Sequence, residues 1–298
     1  MESISAPTVC ANCGKGEEES GNLKKCSACQ LVKYCSRECQ AAHRPQHKKE
    51  CKKRAAELYD EKLFKEVEPE ECPICMLPIS GGEMSENFQT CCGKTICIGC
   101  IYAMKMSEEA TDLCPFCRTP DANNEDEDNE RLKKIVESGN ADAYYLLGCR
   151  YADGDQGLAQ DRQKAHELFL KGGELGCPTG YYSLGLVYTH GDGVEVDVKK
   201  AKQYFELAAM RGSLEARYDL GVSEYEARNI QWAYKHWILA AKAGCERSLD
   251  LIKKGYELRL VTKDEYESTL RAYHDRQKEM KSDERERAAD WFQSIVNN

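Results

Sequence analysis

Residues 10 to 117 of this 298-residue chain hold fifteen of its eighteen cysteines, most of them in pairs two residues apart. The pairs are Cys10-x2-Cys13, Cys26-x2-Cys29, Cys72-x2-Cys75, Cys97-x2-Cys100 and Cys114-x2-Cys117, accompanied by Cys35-x3-Cys39, His47-x3-Cys51 and the adjacent Cys91-Cys92. Two thiols at this spacing sit on one tight turn and direct both sulfurs at one ion, and residues four apart share a helix face, as His47 and Cys51 would. A disulfide framework is the competing account. It belongs to short exported chains, and the start MESISAPTVC lacks the basic and apolar regions of a signal peptide. Metal coordination is the better chemistry, and eight candidate ligands before residue 52 with eight more before residue 118 make four tetrahedral sites, the geometry of structural zinc.

The run YCSRECQAAHRPQHKKEC, Tyr34 to Cys51, resembles a MYND zinc finger, and the resemblance covers residues 10 to 51. That family interleaves its ligands. The resemblance therefore implies one ion held by Cys10, Cys13, Cys35 and Cys39, and a second held by Cys26, Cys29, His47 and Cys51. His43 stands four residues before His47 and four after Cys39, outside the family's ligand set, and reads as a surface residue or a support behind the ligands. Arg44 stands where many members carry tryptophan. The family implies a surface for proline-containing peptides. The basic group Lys48, Lys49, Lys52, Lys53 and Arg54 reads as a solvated face that offsets the thiolates.

ECPICMLPISGG, then CCGKTICIGCI, then LCPFCR resembles a RING finger in the order of its pairs and in its Cys-Pro-x-Cys signatures. The family's interleaving pairs Cys72, Cys75, Cys97 and Cys100 at one ion and Cys91, Cys92, Cys114 and Cys117 at the other. Where most members read Cys-Gly-His, this chain has Cys92-Gly93-Lys94, and a protonated lysine is a poor zinc ligand. Cys91 is the candidate replacement, as in all-cysteine variants. The alternative is a free thiol at Cys91 and a three-ligand site. By the same resemblance Ile74 and Pro115 contact a ubiquitin-conjugating enzyme, and Arg118, directly after the last ligand, orients ubiquitin through the rigid donor fork of its guanidinium. Packing around the zinc loops and a solvated charge are the competing readings.

The elements that must carry these ligands divide the chain. Residues 1–67 read as the first zinc module with a connecting helix suggested by Leu58, Leu63 and Phe64 in the charged stretch Lys52 to Glu71, and residues 68–120 as the second module. Residues 121–130, with the acidic run Asn123 to Glu130, read as a solvated linker. Beyond it Ala143-Tyr144-Tyr145-Leu146-Leu147-Gly148 recurs at Gly180–Gly185 and Ala216–Gly221, and each copy opens a helix. Second helices follow as Ala165, Phe169, Gly172, Gly173; Ala201, Phe205, Ala208, Ala209; and Ala233, Trp237, Ala240, Ala241, with small and aromatic residues on one face. Residues 131–261 thus resemble Sel-one-like repeats, relatives of the tetratricopeptide family. The third copy is shorter by about four residues at the loop that in the others carries Asp153-Gly154-Asp155 and Gly191-Asp192-Gly193, and these loops read as turns because no Gly-Lys-Ser/Thr follows. Cys149, Cys177 and Cys245 read as small packed hydrophobes. Residues 262–298 read as capping helices, opened by Thr262-x2-Glu265 and ending in the apolar patch Trp291, Phe292, Ile295 and Val296, expected to dock on the repeats.

The expected fold class is two small zinc-stabilised α+β modules followed by an all-α helical-repeat solenoid. A net charge of −9, more negative once thiolates are counted, argues against generic nucleic-acid binding, and no apolar stretch approaches the roughly 18 residues a membrane span needs. The expected location is cytoplasmic and/or nuclear. The leading functional expectation is a RING-type ubiquitin ligase or ligase component. The RING would position a ubiquitin-conjugating enzyme, while the solenoid and MYND finger hold the substrate, and catalysis would be by orientation. The alternative is a non-catalytic scaffold or adaptor. A methyltransferase, suggested by MYND fingers that accompany SET domains, is rejected because the repeats occupy the chain after residue 130.

Overall fold

The computed structural model describes residues 8–79, 86–107 and 113–296. The chain forms two compact units, Met1–Lys65 and Glu66–Asn298.

In the first unit a short helix α1 (Glu17–Ser20) precedes the two-residue strands β1 (Lys24–Lys25) and β2 (Lys33–Tyr34), paired antiparallel, and then the 27-residue helix α2 (Arg37–Leu63). Ser36 caps α2 by accepting from the amide of Cys39. The helix expected to begin near Lys52 is thus the second half of a longer one, which carries Cys39, His47 and Cys51 along its length. Pro45 lies inside it and removes one ladder bond. The ligand residues on either side hold the helix across that break, and its only buried side chains are His47 and Leu63.

The second unit opens with the hairpin β3 (Glu86–Gln89) and β4 (Lys94–Cys97), in register Gln89↔Lys94 to Glu86↔Cys97, followed by α3 (Ile98–Lys105). Helix α4 (Glu125–Glu137) comes next and corrects the linker expectation. The acidic run is the first turn of a helix, capped by Asn124, where carboxylates complement the positive end of the helix dipole. Its other face is anchored. Arg150 donates to Asp128 and, at 2.6 Å, to Asn129, Thr90 donates to Asp128, and Leu132 is fully buried.

Three helical hairpins follow: α5 (Ala141–Asp153) with α6 (Arg162–Leu175), α7 (Pro178–His190) with α8 (Val198–Met210), and α9 (Leu214–Glu226) with α10 (Ile230–Lys242). The glycines Gly154 and Gly191 end α5 and α7 in the left-handed region, so the glycine-rich loops are turns. The third hairpin is joined by only three residues, Ala227 to Asn229. Within each pair the aromatic ring of the second helix lies on a glycine of the first: Phe169 on Gly148, Phe205 on Gly185, Trp237 on Gly221. Helix α11 (Glu246–Glu257) continues the stack, and α12 (Lys263–Met280) opens with the complete Thr262/Glu265 capping box. Tyr266 of α12 stacks on Tyr256 with ring centroids 4.8 Å apart.

The last helix, α13 (Asp283–Val296), departs from expectation. Among the described residues it packs chiefly on α3 of the second cysteine module rather than on the repeats, and Trp291 meets Tyr102 with ring centroids 5.9 Å apart. The side chains of Phe292, Ile295 and Val296 lie outside the described residues. No helix among the described residues is long and apolar enough to cross a membrane.

Candidate metal centres

One local turn builds most of the ligand set. The amides of Cys10, Cys72 and Cys114 each donate to the carbonyl five residues on, that of Cys26 to the carbonyl six residues on. The residue after each second cysteine, Gly14, Gln30, Met76 or Arg118, donates back to the first cysteine's carbonyl. That residue has φ of +73°, +58°, +59° and +60° respectively. The turn points both sulfurs to its inside, and three of the four sites accept left-handed backbone at a non-glycine residue to make it. Gly93, after Cys92, has φ of +68°, and a methyl group there would stand 2.9 Å from Ile135 Cγ2. Glycine is therefore required twice over between Cys92 and Lys94, and Gly93 O accepts from Asn140 Nδ2 at 3.0 Å.

The turns assemble into four clusters, each with its ligand atoms within 4.8 Å of one another: Cys10, Cys13, Cys35 and Cys39; Cys26, Cys29, His47 and Cys51; Cys72, Cys75, Cys97 and Cys100; Cys91, Cys92, Cys114 and Cys117. Sulfur pairs lie 3.6 Å apart at Cys13–Cys35, 3.8 Å at Cys26–Cys51, 3.7 Å at Cys75–Cys97 and 3.9 Å at Cys92–Cys114. Disulfides need about 2.05 Å, whereas tetrahedral zinc with bonds of about 2.3 Å places its sulfurs roughly 3.8 Å apart. All eighteen cysteines are free thiols.

The electrostatics point the same way. Burial raises the Cys10 thiol, but hydrogen bonds to the backbone at Cys13, Cys35 and Asn12 outweigh it and bring the group down to about 6. Hydrogen bonds to Cys39, Cys10 and Cys13 push Cys35 of the same cluster up to about 12. The second cluster repeats this. Burial opposes, but backbone and His47 hydrogen bonds lower Cys26 to about 6, while burial and then Cys26 and Cys29 raise Cys51 to about 12. In the fourth, Cys117 falls to about 6 against its burial, with help from Thr119, and Cys91 rises through burial and the neighbouring thiols. Four sulfurs this close do not all ionise alone. A divalent cation held by them would supply the charge that lets them.

His47 presents Nε2 to Cys29 Sγ at 3.1 Å, and its ring stacks on His43 at 5.6 Å. His43 lies outside the cluster, its Nδ1 sharing a 3.1 Å hydrogen bond with the buried Tyr34 hydroxyl. Cys91 Sγ lies 3.3 Å from Cys117 Sγ. Lys94 is exposed, its ammonium 6.0 Å from the Phe116 ring centroid. Ile74, 41% exposed, and Arg118 stand on the surface, and Pro115 is half-buried at the rim of a cleft of about 620 Å3 that Asp128, Arg131 and Arg150 also line. Arg54 pairs with Glu57 and Glu61. Outside the clusters, burial pushes Cys177 up to about 12 and also raises Cys149.

Two side chains at the clusters escaped sequence reasoning. Thr119 Oγ1 lies 3.2 Å from Cys117 Sγ, and its place two residues on is a local signal. Arg285 Nη2 lies 3.7 Å from Cys75 Sγ, and no local signal could have found it across 210 residues.

Against this geometry, the MYND finger family model matches residues 10–51, and the Sel1 repeat model matches residues 141–177, 178–213 and 214–245. The chain carries a MYND finger and three Sel1 repeats. The ERAD-associated E3 ubiquitin-protein ligase component HRD3B of Arabidopsis thaliana is 34% identical over 113 residues, 38% of this chain and 18% of that protein. The histone-lysine N-methyltransferase SMYD3 of Homo sapiens is 48% identical over 44 residues, 15% of this chain and 10% of that protein. The chain thus spans less than a fifth of the length of either relative. Among solved structures, a Sel1 repeat protein from Oxalobacter formigenes is similar with a TM-score of 0.44 and 27% identity, over 51% of this chain and 64% of that one. Cysteine-rich zinc modules followed by a helical Sel1-repeat solenoid describe the architecture, and MYND fingers and Sel1 repeats are protein-interaction modules.

Proposed function

We propose that this chain is a RING-type ubiquitin ligase or ligase component that binds four zinc ions and works in the cytoplasm or nucleus. Residues 72–117 position a charged ubiquitin-conjugating enzyme, and the MYND finger and Sel1 solenoid hold the substrate, the finger through proline-containing peptides. The observation that carries the reading is the interleaved pair of four-cysteine clusters with Ile74 and Arg118 exposed on their turns. An apolar side chain and a guanidinium held on metal-stiffened loops suit a partner that must be oriented without covalent chemistry. The partial match to a plant ubiquitin-ligase component is consistent with it.

No side chain of the chain attacks the thioester in this mechanism. Ile74 contributes apolar contact with the conjugating enzyme, and Arg118 donates to carbonyls of that enzyme and of ubiquitin, narrowing the donor to reactive conformations. The test is ubiquitin discharge across a panel of conjugating enzymes by protein with verified zinc content. Arg118→Gly removes the side chain while suiting the φ of +60° and should abolish most transfer with zinc retained. Ile74→Ala should weaken enzyme binding itself. Zinc-loaded wild type that discharges no member of the panel would instead mark the chain as an adaptor.

A further inference from the structure

The Cys72, Cys75, Cys97 and Cys100 centre is not built by its own module alone. The guanidinium of Arg285, near the start of α13, grips the turn that follows Cys75. Nη1 donates to Pro78 O at 2.7 Å, and Nη2 lies 3.3 Å from Leu77 O and 3.7 Å from Cys75 Sγ. Nη1 also donates to Met280 O at 2.9 Å, and the Arg285 amide donates to Ser282 Oγ at 3.2 Å, so the helix start is fastened on its own side as well.

Below the arginine the two helices touch closely. A methyl group at Gly99 of α3 would stand 2.7 Å from Arg285 Cγ and 2.9 Å from its backbone nitrogen. One turn on, Ala288 is fully buried, and one further turn on, Trp291 meets Tyr102. Residues 285, 288 and 291 form one stripe at the i, i+3, i+6 spacing that follows a single helix face. Gly99 is the feature that lets this stripe approach.

We propose that Arg285 is a positioning residue for the metal of this centre, donating to the Cys75 sulfur and closing the module with the C-terminal helix. The inference rests on the zinc reading of the cluster. A zinc ion with four thiolates carries two net negative charges in a partly buried site, and a donor on one sulfur disperses that charge. It also blocks the face from which a proton or a chelator would approach Cys75. Partners behind the ligands typically change metal affinity 10–100-fold. The gripped segment begins one residue after Ile74, so the C-terminal helix also sets the surface on which the conjugating enzyme is proposed to dock.

The test uses the full chain and two variants, Arg285→Met, which keeps the aliphatic packing on Gly99, and Arg285→Lys, which keeps the charge without the fork. Zinc release to a colorimetric chelator is followed in time, and cysteines freed during release are alkylated and located by mass spectrometry. Arg285→Met should release one zinc at least ten-fold faster, with alkylation at Cys72, Cys75, Cys97 and Cys100 and unchanged rates at the other three clusters. Arg285→Lys should recover part of the loss. A Met variant that releases zinc at the wild-type rate, or equal acceleration of all four clusters, overturns the positioning role. Wild-type protein whose Cys72, Cys75, Cys97 and Cys100 are alkylated at once overturns the zinc reading beneath it.

Discussion

Gly221→Ala is the sharpest test of how the Sel1 solenoid is packed, because helix propensity and tertiary contact predict opposite signs. Gly221 lies inside α9, where alanine ordinarily stabilises by about 1 kcal/mol. Here the added carbon would stand 2.2 Å from Trp237 Nε1, 2.5 Å from Cδ1 and 2.7 Å from Cε2. The ring cannot step aside cheaply. It is 4% exposed, its Nε1 donates to Tyr218 O at 3.2 Å, and it meets Tyr234 edge-on at 5.3 Å. Overpacking costs about 1–3 kcal/mol and a lost indole hydrogen bond about 1 kcal/mol, so after the propensity gain the net destabilisation is about 2 kcal/mol. Urea denaturation followed by circular dichroism at 222 nm measures it. In a Trp237→Leu background the clash disappears and the same Gly221→Ala change should turn neutral or stabilising. Gly221→Ala protein as stable as wild type, or the same cost in both backgrounds, would refute the ring-on-glycine argument.

Elemental analysis should find four zinc ions per chain, and two or fewer in folded protein would remove at least one module. Because structural zinc contributes on the order of 10 kcal/mol, chelation should strip hydrogen-exchange protection from the described residues of both cysteine modules, 10–79, 86–107 and 113–117, and from α13 while α5–α11 keep theirs. Cys91→Ser should lower the zinc count by one and Cys149→Ser should leave it unchanged, since only the former thiol joins a cluster. His236 titrates at about 3, held down by its burial and then by Arg217 and Lys202, with Glu224 opposing. The unfolded chain binds that proton below about 6.5, so the stability is full above this pH and is lost as pH falls toward 3. At pH 5 the loss is about 2 kcal/mol. Subtracting a His236→Gln titration cancels the zinc sites, and parallel curves for the two proteins would sink the assignment.

The sequence by itself determined the parts whose physics is local. Four of the five Cys-x2-Cys pairs specify their own turn, because the amide of the first cysteine and that of the residue after the second close it without outside help. The Sel1 repeat was equally legible, since Phe169, Phe205 and Trp237 each stand four residues after an alanine and three before a pair of small residues. The Thr262/Glu265 cap was readable because both its bonds fall within four residues. Where neighbours in space are far apart in the chain, local reading misplaced the element. Asn123 to Glu130 reads as a solvated run, yet Asn129 and Asp128 meet Arg150 from α5, and that long-range pairing, with Leu132 buried behind it, is what makes the segment a docked helix. Trp291 carries no mark of which surface it covers, and the bare backbone of Gly99 and the carbonyls of Leu77 and Pro78 place its helix on α3. The turns close within a few residues and the repeats show themselves by recurrence, so both are written in the chain. Arg285 acts at Cys75 only because folding brings residues 210 positions apart to within 3.7 Å.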